Sequence, residues 1–310
     1  MFGIILEGLK SIRTNRMKIS IQQLNKVYDN GKRALNDINL EIESGMFGLL
    51  GPNGAGKSTL MRILVTLMKP TNGKVFVDEL DLRKDRKEIR DILGYLPQDF
   101  RFFTKLRTWE FLDYAARLSG LKNKKQRMQK VDMWLEKVGL FDVRERNADK
   151  LSGGMKRRLG IAQALIGDPK ILVVDEPTTG LDPEERIRFR NIMSDISRHD
   201  AIIILSTHIV GDISSICQNM ALLDNGQLSF NGSPEELIDL AKGHVWQIHT
   251  SGTDYDILKN KFPVISTIPT DEGWDVQFVA NGSTMSKAKE IEPTLEHAYV
   301  YFMEYLSNKN

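Results

Sequence analysis

The stretch MFGLLGPNGAGKST, residues 46–59, runs from a short apolar segment through a glycine-rich loop into LMRILVTLM, the periodic segment that begins at Leu60. A brief apolar run bounded by glycine and proline reads as a buried strand, and apolar residues recurring every three or four positions read as a helix. The order is therefore strand, loop, helix. Within it, Gly51, four intervening residues and then Gly56, Lys57 and Ser58 match the Walker A spacing. Backbone N–H groups of Gly51, Pro52, Asn53, Gly54, Ala55 and Gly56, proline excepted, would wrap phosphates. Lys57 would reach the outer ones, the Ser58 hydroxyl would ligate Mg²⁺, and Thr59 completes the motif. A bare glycine turn is the competing reading, and the correctly placed strand and helix weigh against it.

Two further apolar runs extend the same logic. ILVVDEP, from Ile171, ends in Asp175 and Glu176, and AIIILST, from Ala201, runs into His208. Strands apolar on both sides belong inside a parallel sheet, whose ligands gather at the carboxyl ends of the strands. Asp175 should then point toward the Mg²⁺ held by Ser58, with Glu176 the base for an attacking water. Two acids after a strand can also be a solvated loop start, and a lone histidine there is usually structural; the nearby phosphate loop shifts both toward chemistry. Gln98, in LGYLPQDF, is a further polar candidate because its amide carbonyl can ligate Mg²⁺ or position water.

Composition bounds the remaining classes. The chain has 310 residues, 41% hydrophobic and 27% charged, enough for one large core and a smaller second unit. A net charge of +2 argues against a dedicated nucleic-acid binder. The single cysteine, Cys217, precludes an internal disulfide framework and fits a reducing cytoplasm. No apolar run approaches the roughly 20 residues that cross a bilayer. The opening MFGIILEGLKSIRTNRMK places its charges after its apolar part and lacks a cleavage site, so it is not read as a secretion signal.

Taken in order, GPNGAGKST, YLPQ, LSGGM, ILVVDEP, TGLDP and STH resemble the ATPase subunit of an ATP-binding-cassette (ABC) transporter, over about residues 17–240. The resemblance implies an α/β P-loop NTPase core with a helical subdomain, ATP and Mg²⁺ as cofactors, a second ATPase subunit and an integral membrane permease as partners, and a place at the cytoplasmic face of the membrane. It assigns Tyr28 to stacking on adenine, Gln98 to the loop facing the permease, Gly180-Leu181-Asp182 to dimer contact, and His208 to the γ-phosphate. In LSGGM it makes Ser152, Gly153 and Gly154 a second phosphate cradle, one that serves the nucleotide held by the partner subunit. Met155 departs from the glutamine often found there, while the serine and both glycines remain. Since the motif set is complete, two copies of this chain would suffice. Two other classes are weighed. A DNA- or ribosome-directed ABC ATPase would carry a second cassette, a long coiled coil or zinc motifs, and a small-molecule kinase would have no use for LSGGM.

Outside the motifs, residues 1–16 read as an amphipathic basic helix, with Phe2, Ile5, Leu6, Leu9 and Ile12 opposite Lys10, Arg13, Arg16 and Lys18. Residues 100–155 read as a helical subdomain, with Thr108 as an N-cap and Gly139 as a stop. Its basic patch, KNKK with Lys150, Lys156, Arg157 and Arg158, reads as a solvated face rather than a nucleic-acid surface. Residues 241–310 read as a small α+β appendage closing in EPTLEHAYVYFMEYL, whose tail resembles those of ATPases serving drug, antibiotic or ion efflux.

Overall fold

The three apolar runs become neighbours. Gly45–Leu50 pairs in parallel with Ile202–Thr207, which pairs in parallel with Ile171–Asp175. Leu93–Leu96 extends this sheet beyond Ile171–Asp175, Asn219–Asp224 extends it beyond Gly45–Leu50, and Gln227–Gly232 closes that edge as an antiparallel hairpin. The computed structural model describes residues 17–100, 105–197, 200–282 and 285–307, so the helix expected at residues 1–16 lies outside the described residues. Lys18, counted on that helix's polar side, instead opens the strand Lys18–Val27.

Side chains alternate across a strand, so each inner strand must feed two cores. Met46, Leu50, Leu172, Val174, Ile203 and Leu205 point to one cluster, and Phe47, Leu49, Ile171, Val173, Ile202 and Ile204 to the other. The first is covered by helices that include Thr108–Leu118, Lys124–Lys137 and Gly153–Leu165. The second is covered by the helix Lys57–Leu64 and an antiparallel sheet of Arg33–Glu43, Lys18–Val27, Asn72–Val77 and Leu80–Asp81.

The Thr108 helix begins one residue earlier than its cap reading implies. Arg107 is the N-cap, its amide donating to Oε2 of Glu110 at 2.8 Å, and the Thr108 hydroxyl donates to the Arg146 carbonyl. Thr108 is wholly buried there, so a tertiary bond has taken the oxygen that would have capped the helix. Gly139 behaves as expected, with φ +63° after the helix Lys124–Lys137.

Residues 245–290 form an antiparallel sheet in the order Val264–Thr270, Gly273–Val279, Val245–Thr250, Lys289–Glu290. Its own small cluster holds Ile248, Leu258, Phe262, Val276, Phe278 and Ala280. The final helix, Leu295–Tyr301, does not join it. Leu295, Ala298, Tyr301 and Phe302 enter the large core with Met220, Leu222 and Leu237, and Phe302 meets Phe230 edge-on at 5.8 Å. The segment 241–310 is therefore not self-contained, because its end is part of the first core. Phe302→Ala is expected to lower unfolding stability by about 3–5 kcal/mol, as for other buried phenylalanines. Chemical denaturation measures it, and a loss below about 1 kcal/mol would mean the helix is peripheral.

Candidate functional site

The glycine loop is shaped by two close approaches. A Cβ on Gly51 would lie 2.1 Å from the Leu223 carbonyl oxygen, and one on Gly56, at φ +109°, 2.5 Å from that of Ala34. Only glycine fits at either position. The Ala55 amide donates to Pro52 at 3.2 Å, and the Ala55 carbonyl accepts from Gly226 at 2.9 Å, which fixes the loop against the sheet edge. Lys57 opens the following helix and curls back, Nζ donating to the carbonyls of Gly51 at 2.7 Å and Pro52 at 3.2 Å. Burial lowers the Lys57 pKa, against the opposing pull of Glu176 and Asp175. The Tyr28 hydroxyl and Thr59 Oγ1 are 3.0 Å apart, which holds that ring beside the helix start, and Lys26 Nζ lies 5.6 Å from the ring centroid.

The two acids and the histidine arrive from adjacent strand ends. Asp175 is buried, and its Oδ1 accepts from the Ser206 hydroxyl of the neighbouring strand. Glu176 sits at φ +47°, a left-handed conformation rare for glutamate, and its amide donates to the Ser206 carbonyl at 3.1 Å. That reversal turns its carboxylate toward the loop, where Oε1 is 3.7 Å from Lys57 Nζ. Oε2 of Glu176 is 2.7 Å from Nδ1 of His208 and accepts from the Thr179 hydroxyl at 3.2 Å. Lys57, Glu176 and His208 thus form one chain of contacts.

The other expected residues stand apart from that chain. Ser152 is the N-cap of the helix Gly153–Leu165, its Oγ accepting the Met155 amide at 3.3 Å, and Ser152 and Gly153 are exposed. Asp182 is exposed too, and its Oδ1 accepts the Glu185 amide at 2.9 Å at the start of the helix Pro183–Ser197. Glu185 lies against Gly154 and pairs with Arg158 at 3.1 Å, so the Asp182 loop and the Ser152 helix abut within the chain. Gln98 is exposed in a bend after the strand Leu93–Leu96.

Two arginines overturn part of the solvated-face reading. Arg158 is buried, Nη1 donating to the carbonyls of Val138 and Gly139 at 2.7 and 2.9 Å. Arg157 is half-buried, and its guanidinium donates to Pro97, Gln98, Asp175 and Pro177 carbonyls. Burial brings its pKa down to about 10, with Asp175 and Glu176 opposing the fall. Asp212 was not singled out in the sequence. It is 1% exposed and accepts from the hydroxyls of Thr178 and Thr207, with Arg190 Nη2 at 3.9 Å. Its hydroxyl partners are set by the tertiary fold, and no sequence pattern marks it.

The donor set suits magnesium nucleotide. Mg²⁺ prefers hard oxygens and takes one or two from protein alongside phosphates, which is the chemistry of the Ser58 hydroxyl and the Asp175 carboxylate. The loop admits no Cβ at Gly51 or Gly56, which suits close approach of phosphate oxygens to backbone amides.

Residues 35–179 match the family described as ABC transporter. The uncharacterized ABC transporter ATP-binding protein YxlF of Bacillus subtilis is 36% identical over 251 residues, which span 81% of this chain and 82% of that one. The chain belongs to the ABC transporter ATP-binding proteins. It is an ATPase subunit of a transporter. The methionine import ATP-binding protein MetN of Vibrio vulnificus (strain YJ016) is 39% identical over 228 residues, 71% of this chain and 66% of that one. A bacterial ABC transporter cassette solved as a dimer superposes with a TM-score of 0.64 at 25% identity, over 69% of this chain and 98% of that one. Among the described residues of this ABC ATPase, no helix is long and apolar enough to cross a membrane.

The Asp212 carboxylate joins the loop after Glu176 to the segment after His208, so Asp212→Ala strands two buried hydroxyls. A stability loss of about 1–3 kcal/mol is expected in urea denaturation. An unchanged midpoint would show that the hydroxyls find other partners.

Proposed function

We propose that this ABC ATPase dimerises on ATP, with each nucleotide held between the Lys57 loop of one subunit and Ser152–Gly154 of the other, and that hydrolysis powers a separate membrane permease in the export direction. The observation that carries the reading is the contact chain of Lys57, Glu176 and His208 facing the glycine loop, while the capped helix start at Ser152 lies exposed. Lys57 and the loop amides bind the phosphates, and Tyr28 supports the base. Mg²⁺, carried in with the nucleotide and held by Ser58 and Asp175 with Gln98 nearby, would neutralise phosphate charge.

Glu176 acts as the general base toward water, and His208 fixes its carboxylate through Nδ1 while its other nitrogen remains for the γ-phosphate. Ser152, Gly153 and Gly154 add amides and a hydroxyl from the partner subunit. ATP thereby binds the closed dimer better than the open one, and loss of the γ-phosphate reverses the preference. Two copies of this chain suffice for the pair, and no nucleic acid is required. The C-terminal tail, similar to those of efflux ATPases, favours export over the import named for MetN.

Glu176→Gln is expected to retain ATP binding, lose about 10²–10⁴-fold in turnover and accumulate as an ATP-bound dimer. Steady-state phosphate release, with size-exclusion chromatography in ATP, reads both; release near the wild-type rate would refute the base role. Arrangement in trans has its own test. Neither Ser152→Arg nor Lys57→Ala chains should dimerise on ATP alone, whereas their mixture regains one intact composite site and a nucleotide-dependent dimer. A mixture that stays monomeric would show that the sites are not shared.

A further inference from the structure

We infer that Arg157 is a positioning residue that clamps the Gln98 loop to the Asp175–Pro177 strand end, so that the permease-facing loop and the hydrolytic carboxylates move as one unit. The inference rests on the reading of Gln98 and Glu176 given above. Its basis is the fork itself. Nη1 donates to the carbonyls of Pro97 at 2.8 Å and Gln98 at 3.3 Å, Nη2 to Asp175 at 2.8 Å, and Nε to Pro177 at 3.1 Å. All three nitrogens are engaged, and every acceptor is backbone.

The acceptors come from segments far apart in sequence: Pro97 and Gln98 follow the edge strand Leu93–Leu96, and Asp175 and Pro177 bracket Glu176 at the end of the adjacent strand. Arg157 itself rides on the helix capped by Ser152. One side chain therefore ties three functional segments, and it does so through the planar, forked donor array that only arginine has.

The sheet pairing between the two strands ends at Leu96 with Val174, one residue short of Pro97 and Asp175. Beyond that point the guanidinium takes over the bridging that ladder hydrogen bonds provide below it. A displacement of the Gln98 loop is then passed to the peptide groups on both sides of Glu176, and likewise to the helix start at Ser152. Misplacing a catalytic group by about 1 Å can cost on the order of 10²-fold in rate, so a clamp at this place acts on turnover rather than on nucleotide affinity.

The test uses the full chain with Arg157→Gln and Arg157→Lys. For Arg157→Gln, kcat for ATP hydrolysis should fall by about 10–10²-fold while KM stays within about threefold. Hydrogen–deuterium exchange should quicken together in residues 93–100 and 171–178, and not in the helix that follows the glycine loop. Arg157→Lys keeps the charge but, as a compact ammonium, does not span both loops, so it should resemble Arg157→Gln in both readouts. Wild-type kcat in either variant would overturn the inference, as would exchange that quickens in one loop alone. If Arg157→Gln does not fold, Arg157→Lys carries the same two measurements. Glu176→Gln run in parallel separates the two ideas: normal turnover there refutes the base role, while the exchange pattern still reports on the clamp.

Discussion

Lys57 and Glu176 are each 6% exposed with their charged atoms 3.7 Å apart, and pairing offsets part of the cost of taking both groups out of water. Almost everything else in the core serves to bring that pair together. Lys57 opens a helix and its side chain turns back to the glycine loop, and Glu176 is a left-handed residue at the tip of a buried strand. Parallel pairing through Ile202–Thr207 sets the two strand ends at one level. Strands at another register would desolvate the two groups apart from one another, which costs more than burying them as a pair.

Around the pair, hydrogen bonds link polar groups from several segments. Ser206 gives its hydroxyl to Asp175 and its carbonyl to the Glu176 amide, so one residue orients both acids. Asp212 gathers the hydroxyls that flank Glu176 and His208, and Arg157 collects four carbonyls where the strands end. Buried networks of this kind are costly when broken and rigid when complete, which suits a site that must hold its charged groups in fixed positions. By contrast, Ser152, Gly153 and Asp182 are exposed and bonded only locally, a disposition suited to groups that act on another molecule.

The C-terminal segment couples to this core by packing. Its small sheet has a private cluster, yet its last helix is inserted among Met220, Leu222 and Leu237, beside the strand Asn219–Asp224 that borders the glycine-loop strand. A polar seam of Ser266, Gln277 and His297 lies where that sheet meets the helix, and burial lowers the His297 pKa.

The strand–loop–helix order and the inner strands were legible in the sequence. Apolar runs and glycine spacing are local consequences of burial and sterics, and both leave their mark residue by residue. The acids and the histidine were also readable as candidates, because a polar residue ending an apolar strand has few places to go. Arg157 and Arg158 were not. Their partners are backbone carbonyls of remote segments, and a carbonyl has no sequence signature, so a half-buried and a buried fork looked like charges on a wet helix face. The Thr108 cap failed for the same reason, since the Arg146 carbonyl took its hydroxyl from 38 residues away. Nor did the last helix reveal that its apolar face belongs to the large core, because periodicity states that a face is buried and not against what. Local chemistry was written in the chain; the choice among distant backbone partners and apolar surfaces was made only when the sheet brought them within reach.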